Sequence, residues 1–159
     1  ARQIRDLNLV IVDYIGLISC PEESRSKPRY EQMTEISASL KALAKTLRIP
    51  VLALCQLNRE NVSRGDKRPT MADLRDSGAI EQDAGAIILL HRPDYYEQKE
   101  AAEERPEMET IELNVAKNRH AETGVVRMWW NGKIGKLMQQ SWRDEMPPTK
   151  VMKEEDLPF

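Results

Sequence analysis

The chain has 159 residues, of which 40% are hydrophobic and 31% charged, so it is long enough for one folded domain with a core. Its net charge of -2 excludes an overall basic surface, and any nucleic-acid-binding surface must therefore be local. No apolar stretch approaches the roughly 18 residues that a membrane span needs. The two cysteines and two histidines have no spacing typical of a zinc site, and we expect a reduced, cytoplasmic protein without disulfides.

The first predicted elements form a strand–helix–strand unit. Leu9 to Val12 is an apolar run that predicts a strand buried on both faces. A helix follows, because apolar residues recur every three or four positions along one face. They are Met33, Ile36, Leu40, Leu43 and Leu47. Pro50 ends the helix, and VLALCQ (51–56) predicts a second buried strand. This order predicts a parallel sheet with a crossover helix packed on it.

The second half of the chain predicts short helices and more strands. TMADLRDSGAIEQDA (70–84) predicts two short helical turns, capped by Thr70 and Ser77. GAIILLH (85–91) predicts a third buried strand. Three later segments also have strand patterns: ETIELNVAKN (109–118), GVVRMWW (124–130) and KIGKLMQQS (133–141). The pair Asn131-Gly132 predicts a hairpin between the last two.

The end of the first strand carries an unexpected charge. Asp13 follows the apolar run directly, and an isolated buried carboxylate would cost several kcal/mol or more. Gln56 ends the second predicted strand. Ligands of parallel sheets bind beyond the carboxyl ends of the strands, and these two side chains suit a hydrated Mg²⁺ and a nucleotide γ-phosphate. The alternative is that Asp13 caps a helix and that Gln56 only satisfies the hydrogen-bonding groups of a loop.

Four blocks of sequence carry a family resemblance. They are LNLVIVDYIGLI, EISASLKALAKTLRIPVLALCQLNR, DKRPTMADLRDSGAIEQDAGAIILLHRPDYY and AKNRH, in that order. Together they resemble the second half of the RecA-like ATPase domain of DnaB-family replicative DNA helicases, over roughly residues 7 to 140. DLRDSGAIEQDA is the most specific block. The resemblance implies an α/β, RecA-like fold: a parallel sheet with crossover helices, followed by an antiparallel hairpin extension.

The resemblance implies roles for four residues at a nucleotide. Asp13 would be the Walker B carboxylate, holding Mg²⁺ mostly through water, and Gln56 would sense the γ-phosphate of ATP. Arg119 would be the arginine finger, reaching the nucleotide of the neighbouring subunit, with Lys117 beside it. Such a finger is typically worth about 10³ to 10⁵ in rate. The alternative for Lys117 and Arg119 is a solvated hairpin end.

The resemblance also implies a DNA-binding segment, LRDSG, which contains Arg75, Asp76, Ser77 and Gly78. It would line the central channel of a ring and touch consecutive phosphates of single-stranded DNA. Arg75 would supply charge, and Gly78 would let a backbone N–H approach a phosphate closely. Asp76 would repel phosphate, so it would instead orient Arg75 or a neighbouring subunit. The alternative is an ordinary helix–turn–helix with Ser77 as a cap.

The sequence contains no G-x-x-x-x-G-K-S/T motif, which would form the phosphate-binding loop. We therefore expect an incomplete domain that lacks its P-loop half. The complete protein would be a bacterial or phage homohexamer that hydrolyses ATP to translocate on single-stranded DNA, with primase and a helicase loader as partners. Two alternatives are a non-enzymatic docking module for a loader or another replisome protein, and a recombinase-like or circadian-type RecA-fold ATPase.

The last residues predict a separate segment. We expect the motor fragment to end at residue 141 and residues 142–159 to form a flexible acidic tail. An acidic cluster precedes a terminal apolar group: Glu154, Glu155, Asp156, Leu157, Pro158 and Phe159. This end resembles the acidic tip of bacterial single-stranded-DNA-binding proteins, which recruits replication partners, and the interpretation requires Phe159 to be the carboxyl terminus. The alternative is a solvated tail whose composition matches by chance.

Overall fold

The computed structural model describes residues 6–57, 66–93, 95 and 107–139. The described residues divide into two compact units, the first within residues 1–87 and 116–122 and the second within residues 88–115 and 123 onward. Among the described residues, no helix is long and apolar enough to cross a membrane. The predicted boundary at residue 141 and the predicted tail lie outside the described residues.

The first unit contains the predicted strand–helix–strand. Strand β1 (Val10–Val12) pairs in parallel with β2 (Val51–Ala53), so the predicted parallel pairing is confirmed. Helix α1 (Arg29–Leu47) lies between them in the chain, after two short 3-10 helices at Ile15–Leu17 and Glu22–Ser24. Arg48 ends α1 in a left-handed conformation, with its N–H bonded to the carbonyl of Ala44. Both strands are shorter than their apolar runs.

The core of this unit is smaller than the sequence predicts. Four buried residues form it: Ile15, Cys20, Met33 and Ile36. The prediction that the first strand is buried on both faces is wrong, because Ile11 is 60% exposed, and the second strand is not buried as predicted, because Leu52 is 53% exposed. Burial on both faces needs a layer on each side, and the described residues supply α1 alone as a long helix. Leu43 and Leu47 are exposed too, so only the first half of the apolar face of α1 is in the core.

The two short helices of the middle region are confirmed. A 3-10 helix runs over Met71–Ser77, and α2 (Gly78–Asp83) follows it. Thr70 caps the first one in a capping box: its side chain accepts from the Asp73 backbone N–H, and the Asp73 carboxylate accepts from the Thr70 backbone N–H at 2.7 Å. The side chain of Ser77 lies outside the described residues, so its predicted capping bond stays a prediction.

The second sheet has four strands in the order β3-β4-β5-β6. They are β3 (Ala86–His91), β4 (Met108–Asn118), β5 (Gly124–Asn131) and β6 (Lys136–Gln139). β4, β5 and β6 pair antiparallel, as the predicted hairpin extension requires. The third strand is not buried as predicted: Ile88 and Leu90 are more than half exposed, while Ile87 and Leu89 on the other face are buried. β3 is therefore covered on one face only.

Two carboxylates are buried in β4 and each has an arginine partner. Arg92 donates to Glu109, with its Nε 3.0 Å from Oε2 and a second bond from its terminal nitrogen. Arg127 lies opposite Glu112 on β5 and donates to it at 3.3 Å. Because a buried carboxylate without a partner is costly, these pairs let acidic residues occupy a half-buried strand.

The hairpin between β5 and β6 is confirmed at the predicted place, but its turn is longer than two residues. Asn131 pairs with Lys136, so residues 132–135 form the loop. The Asn131 side chain accepts from the backbone N–H groups of Lys133 at 3.0 Å and Ile134 at 3.3 Å. Gly135, rather than Gly132, has the positive φ, at +63°.

Candidate functional site

Asp13 and Gln56 follow the neighbouring strands β1 and β2. Backbone hydrogen bonds continue past the strand ends, from Leu54 N–H to the Val12 carbonyl at 2.9 Å and from Ile15 N–H to the Leu54 carbonyl at 3.0 Å. Both side chains are exposed, and among the described residues neither makes a side-chain hydrogen bond. The peptide bond after Asp13 is cis. The parallel sheet therefore presents a carboxylate and an amide to solvent at its carboxyl edge.

The alternative that Asp13 caps a helix is not what the structure contains. The next helix begins at Ile15 and has Tyr14 at its N-cap position, without a side-chain capping bond. Asp13 is also exposed, so the desolvation cost expected of a buried carboxylate does not arise. An exposed carboxylate at this edge is suited to bind a cation or the water around one.

Asp13 and Gln56 fit a magnesium ion only if water and a nucleotide supply most of its ligands. Among the described residues, no group of three or more His, Cys, Asp or Glu side chains could hold a metal ion. Mg²⁺ is often bound through one or two carboxylates, several waters and substrate phosphates, because it gives up its water reluctantly. A lone Asp13 is compatible with that mode when a nucleotide supplies the remaining oxygens, and not with a protein-only metal site.

Lys117 and Arg119 lie at the end of β4 and contact the C-terminal end of α2. The Arg119 backbone N–H donates to the Gly85 carbonyl at 2.9 Å, and its guanidinium donates to the Gln82 carbonyl. The Lys117 ammonium donates to the Glu81 carbonyl and lies 3.5 Å from that of Gln82. The last carbonyls of a helix have no partner within it and carry partial negative charge. The two cations satisfy them, so they are not simply solvated.

The C-terminal end of α2 is also held from the other side. The Ser37 hydroxyl on α1 donates to the Asp83 carboxylate at 2.7 Å, and Ser37 is buried. Ile80, one turn earlier on α2, packs against the core. Sequence reasoning missed this contact, although a signal was present. Ser37 lies four residues after Met33 and three before Leu40, on the apolar face, where a hydroxyl needs a partner.

The predicted DNA-binding segment covers the last three residues of the 3-10 helix and Gly78, the first residue of α2. The side chains of Arg75, Asp76 and Ser77 lie outside the described residues, so their contacts stay predictions. Gly78 is exposed, has helical backbone angles, and a Cβ added there would meet nothing within 4 Å. The described surroundings therefore do not require glycine at this position.

Three of the predicted positions converge on one short helix. α2 begins at Gly78, the end of the predicted DNA-binding segment, and ends at the carbonyls that hold Lys117 and Arg119. Six helical residues span about 9 Å at 1.5 Å each. The first unit thus connects the DNA-binding segment and the end of β4 through one short helix.

Known proteins are similar to this chain over most of its length. The profile of a family described as "DnaB-like helicase C terminal domain" matches residues 1–139. The replicative DNA helicase DnaB of Geobacillus stearothermophilus is 41% identical over 127 residues, 80% of this chain. That of Haemophilus influenzae is 40% identical over 148 residues, 91% of this chain.

Solved structures agree in fold. A DnaB-like replicative helicase, described with its interactions with primase, superposes with a TM-score of 0.73 at 34% identity and covers 84% of this chain. An ATPase domain in a second solved structure has a TM-score of 0.74, also at 34% identity over 84% of the chain. These neighbours confirm the predicted RecA-like fold.

The chain matches only part of each relative. It spans 27% of the Geobacillus protein, 30% of the Haemophilus protein and 31% of the DnaB-like helicase chain of known structure. The family match itself extends over residues 1–139, well above half of the chain. The chain belongs to the family of DnaB-like helicase C-terminal domains.

Proposed function

We propose that this chain is part of a replicative DNA helicase, which couples ATP hydrolysis to translocation on single-stranded DNA and to duplex unwinding. The observation that carries the proposal is the family match over residues 1–139, together with relatives named as replicative helicases. The match favours a helicase over a recombinase-like or circadian-type ATPase. A docking module without enzymatic activity is the outcome that would replace the proposal.

The nucleotide role rests on the exposed edge of the β1–β2 pair. Asp13 would hold Mg²⁺ through its water shell, and Gln56 would contact the γ-phosphate of ATP. Bound Mg²⁺ would neutralise charge that develops on the transferred phosphoryl group. This chain's own contribution is to place one carboxylate and one amide on adjacent strand ends, open to solvent.

Lys117 and Arg119 are proposed to act on the nucleotide of a neighbouring subunit in a homohexamer. Both lie in the first unit beside the end of α2, where the Arg119 backbone N–H donates to the Gly85 carbonyl at 2.9 Å and fixes the backbone at this point. Arginine is suited to this role because its planar guanidinium is always charged and binds phosphate oxygens in a fixed geometry.

For DNA, Arg75 with Asp76, Ser77 and Gly78 is proposed to contact phosphates of the single strand. The 3-10 helix that contains the first three of these residues is fixed at its start by the Thr70–Asp73 cap, and Leu74 is buried. Phosphate contacts of this kind fix position without reading sequence. Primase and a helicase loader are the proposed protein partners; a primase interaction is named for one solved relative.

The test uses the full-length protein. Asp13→Asn removes the charge that would hold Mg²⁺ while keeping the size of the side chain, and Glu23→Gln is a matched control at an exposed acid. We expect wild type and control to hydrolyse ATP with stimulation by single-stranded DNA, and Asp13→Asn to lose about 10³-fold in rate. A full-length protein with no ATPase activity that still binds a loader would establish the docking alternative.

The end of the chain carries a further proposed role. Asp156, Leu157, Pro158 and Phe159, which lie outside the described residues, are proposed to bind partners of single-stranded-DNA-binding proteins. A peptide of residues 148–159 should bind such a partner in the micromolar range, roughly -7 to -8 kcal/mol. Deletion of Phe159 should weaken binding sharply. Absence of competition with the authentic acidic tip would leave the segment as a solvated tail.

A further inference from the structure

Helix α2 is held at its C-terminal end by groups from two directions. The buried Ser37 hydroxyl binds the Asp83 carboxylate from α1, and Lys117 and Arg119 bind the carbonyls of Glu81 and Gln82. Asp83 follows Gln82 directly, so the anchor from α1 and the contacts of the two cations lie on adjacent residues. A shift of Asp83 therefore moves the carbonyls on which the cations rest.

We propose that Ser37 and Asp83 are positioning residues for Arg119 and Lys117, and that α2 couples these two cations to the DNA-binding segment at its other end. The inference rests on the proposed function, since it assumes that Arg119 reaches a nucleotide and that residues 75–78 reach DNA. It adds a defined route between the two: the anchor on α1, the six residues of α2, and its terminal carbonyls.

Lys117 and Arg119 can exchange the carbonyls of α2 for another hydrogen-bond acceptor. A backbone carbonyl carries only a partial charge, whereas a phosphate carries a full one and can accept two parallel hydrogen bonds from a guanidinium, so phosphate is the stronger acceptor for Arg119. A phosphate brought near by a neighbouring subunit would draw Arg119 away from the Gln82 carbonyl. The end of α2 then loses its cations and keeps the Ser37 anchor, so α2 has two states that nucleotide and DNA each bias. Such coupling is reciprocal.

The anchor is tested by one substitution with two comparisons, in the full-length protein. Ser37→Ala removes the donor to Asp83 and should lower DNA-stimulated ATP hydrolysis by about tenfold, because a misplacement of about 1 Å costs up to about 10²-fold. Ser39→Ala, an exposed serine on the same helix, should have no effect. Asp83→Asn keeps an acceptor for the Ser37 hydroxyl and should retain most of the stimulation.

A double substitution separates positioning from general support of the fold. If Ser37 acts through Arg119, then Ser37→Ala should cause no further loss in single-turnover hydrolysis once Arg119 is alanine. Losses that multiply in the double variant would overturn the proposal. If Arg119→Ala alone left hydrolysis unchanged, the proposed role of Arg119 would fail and this inference with it.

A second measurement does not depend on Ser37→Ala folding. Arg119→Ala changes an exposed side chain and should speed hydrogen exchange at the Ala84 amide, which donates to the Ile80 carbonyl at 2.9 Å. His120→Ala, at the next exposed position, is the control. Equal exchange in both variants would show that Arg119 does not hold the end of α2, and would overturn the proposal even while the ATPase activity stands.

Discussion

Two sets of side chains, both in the first unit, are proposed to contact nucleotide, and they differ in the hydrogen bonds that they already make. Asp13 and Gln56 extend from strand ends into solvent, and among the described residues they have no side-chain hydrogen bond. Lys117 and Arg119 already bind carbonyl oxygens at the end of α2. The first pair would gain contacts when a ligand binds, whereas the second pair must exchange one set for another.

The difference follows from charge and from local structure. Asp13 precedes a short 3-10 helix whose N-cap position is Tyr14, and that helix end has no side-chain capping bond, so the Asp13 carboxylate stays open to solvent. Cations near a helix C-terminus, by contrast, find a partial negative charge at once. When Lys117 or Arg119 binds a ligand, it must release a carbonyl of α2, so ligand binding acts on that helix. We therefore expect these two cations, rather than Asp13 and Gln56, to transmit ligand binding to other parts of the first unit.

The largest expected effect concerns the chain of residues 1–159 by itself. Its sequence has no P-loop, and Asp13 alone gives a metal ion no phosphate to bridge, so we expect neither tight ATP binding nor hydrolysis. The measurement is phosphate release by the purified chain with Mg²⁺ and ATP. ATP turnover that disappears on Asp13→Ala would show that Asp13 and Gln56 suffice for hydrolysis without a P-loop.

The next effect distinguishes the two sets directly. In full-length subunits, Arg119→Ala should spare nucleotide binding and lower hydrolysis by about 10³-fold or more, because an arginine finger acts on the transition state. Mixing these subunits with Asp13→Ala subunits should restore part of the activity, since some interfaces then contain both groups. Confirmed mixed hexamers without recovery at any ratio would exclude a shared site.

A smaller effect is expected at the DNA-binding segment. Arg75→Ala in the full-length protein should weaken single-stranded DNA binding about equally for all sequences and reduce the salt slope by about one, because one phosphate contact is lost. ATP hydrolysis without DNA should be largely unchanged. Salt titrations of binding by anisotropy measure the slope; unchanged binding with reduced thermal stability would make Arg75 a structural residue.

The smallest effect is a pH dependence at the start of α1. The Lys27 ammonium donates to Glu35 and lowers the pKa of that carboxyl below its usual 4.5, and the same bond raises the pKa of Lys27 above 10.5. The lowered carboxyl pKa stabilises the fold above about pH 4.5, and this contribution is lost as pH falls through the lowered value. The raised lysine pKa stabilises it below 10.5 and is lost above the raised value.

Melting curves test this pair. Lys27→Met should melt slightly below wild type at neutral pH, and the difference should vanish in acid once Glu35 is protonated. The difference is small because both side chains are more than a third exposed, and water screens such pairs. Lys45→Met near the end of α1 is the control. A difference that does not shrink as the pH falls would assign the effect to packing of the lysine stem.

Local patterns in the sequence predicted the elements well. The spacing of apolar residues by three and four around Met33 and Ile36 predicted α1. Thr70 predicted the start of the 3-10 helix, where it forms a capping box with Asp73. The hairpin after Asn131 was predicted too. These features depend on residues within a few positions of each other, and so they can be read along the chain.

The sequence by itself determined the type and order of these elements, the parallel pairing of the first two strands, the carboxylate at the first strand end and the family. The tertiary structure decided which apolar faces are covered, as Ile11 and Leu52 show, and which groups meet across the chain. Ser37 and Asp83 are 46 residues apart, and Arg119 and Gln82 are 37 apart. Burial and long-range hydrogen bonds depend on what packs against a residue, and periodicity along one segment contains no information about its partner.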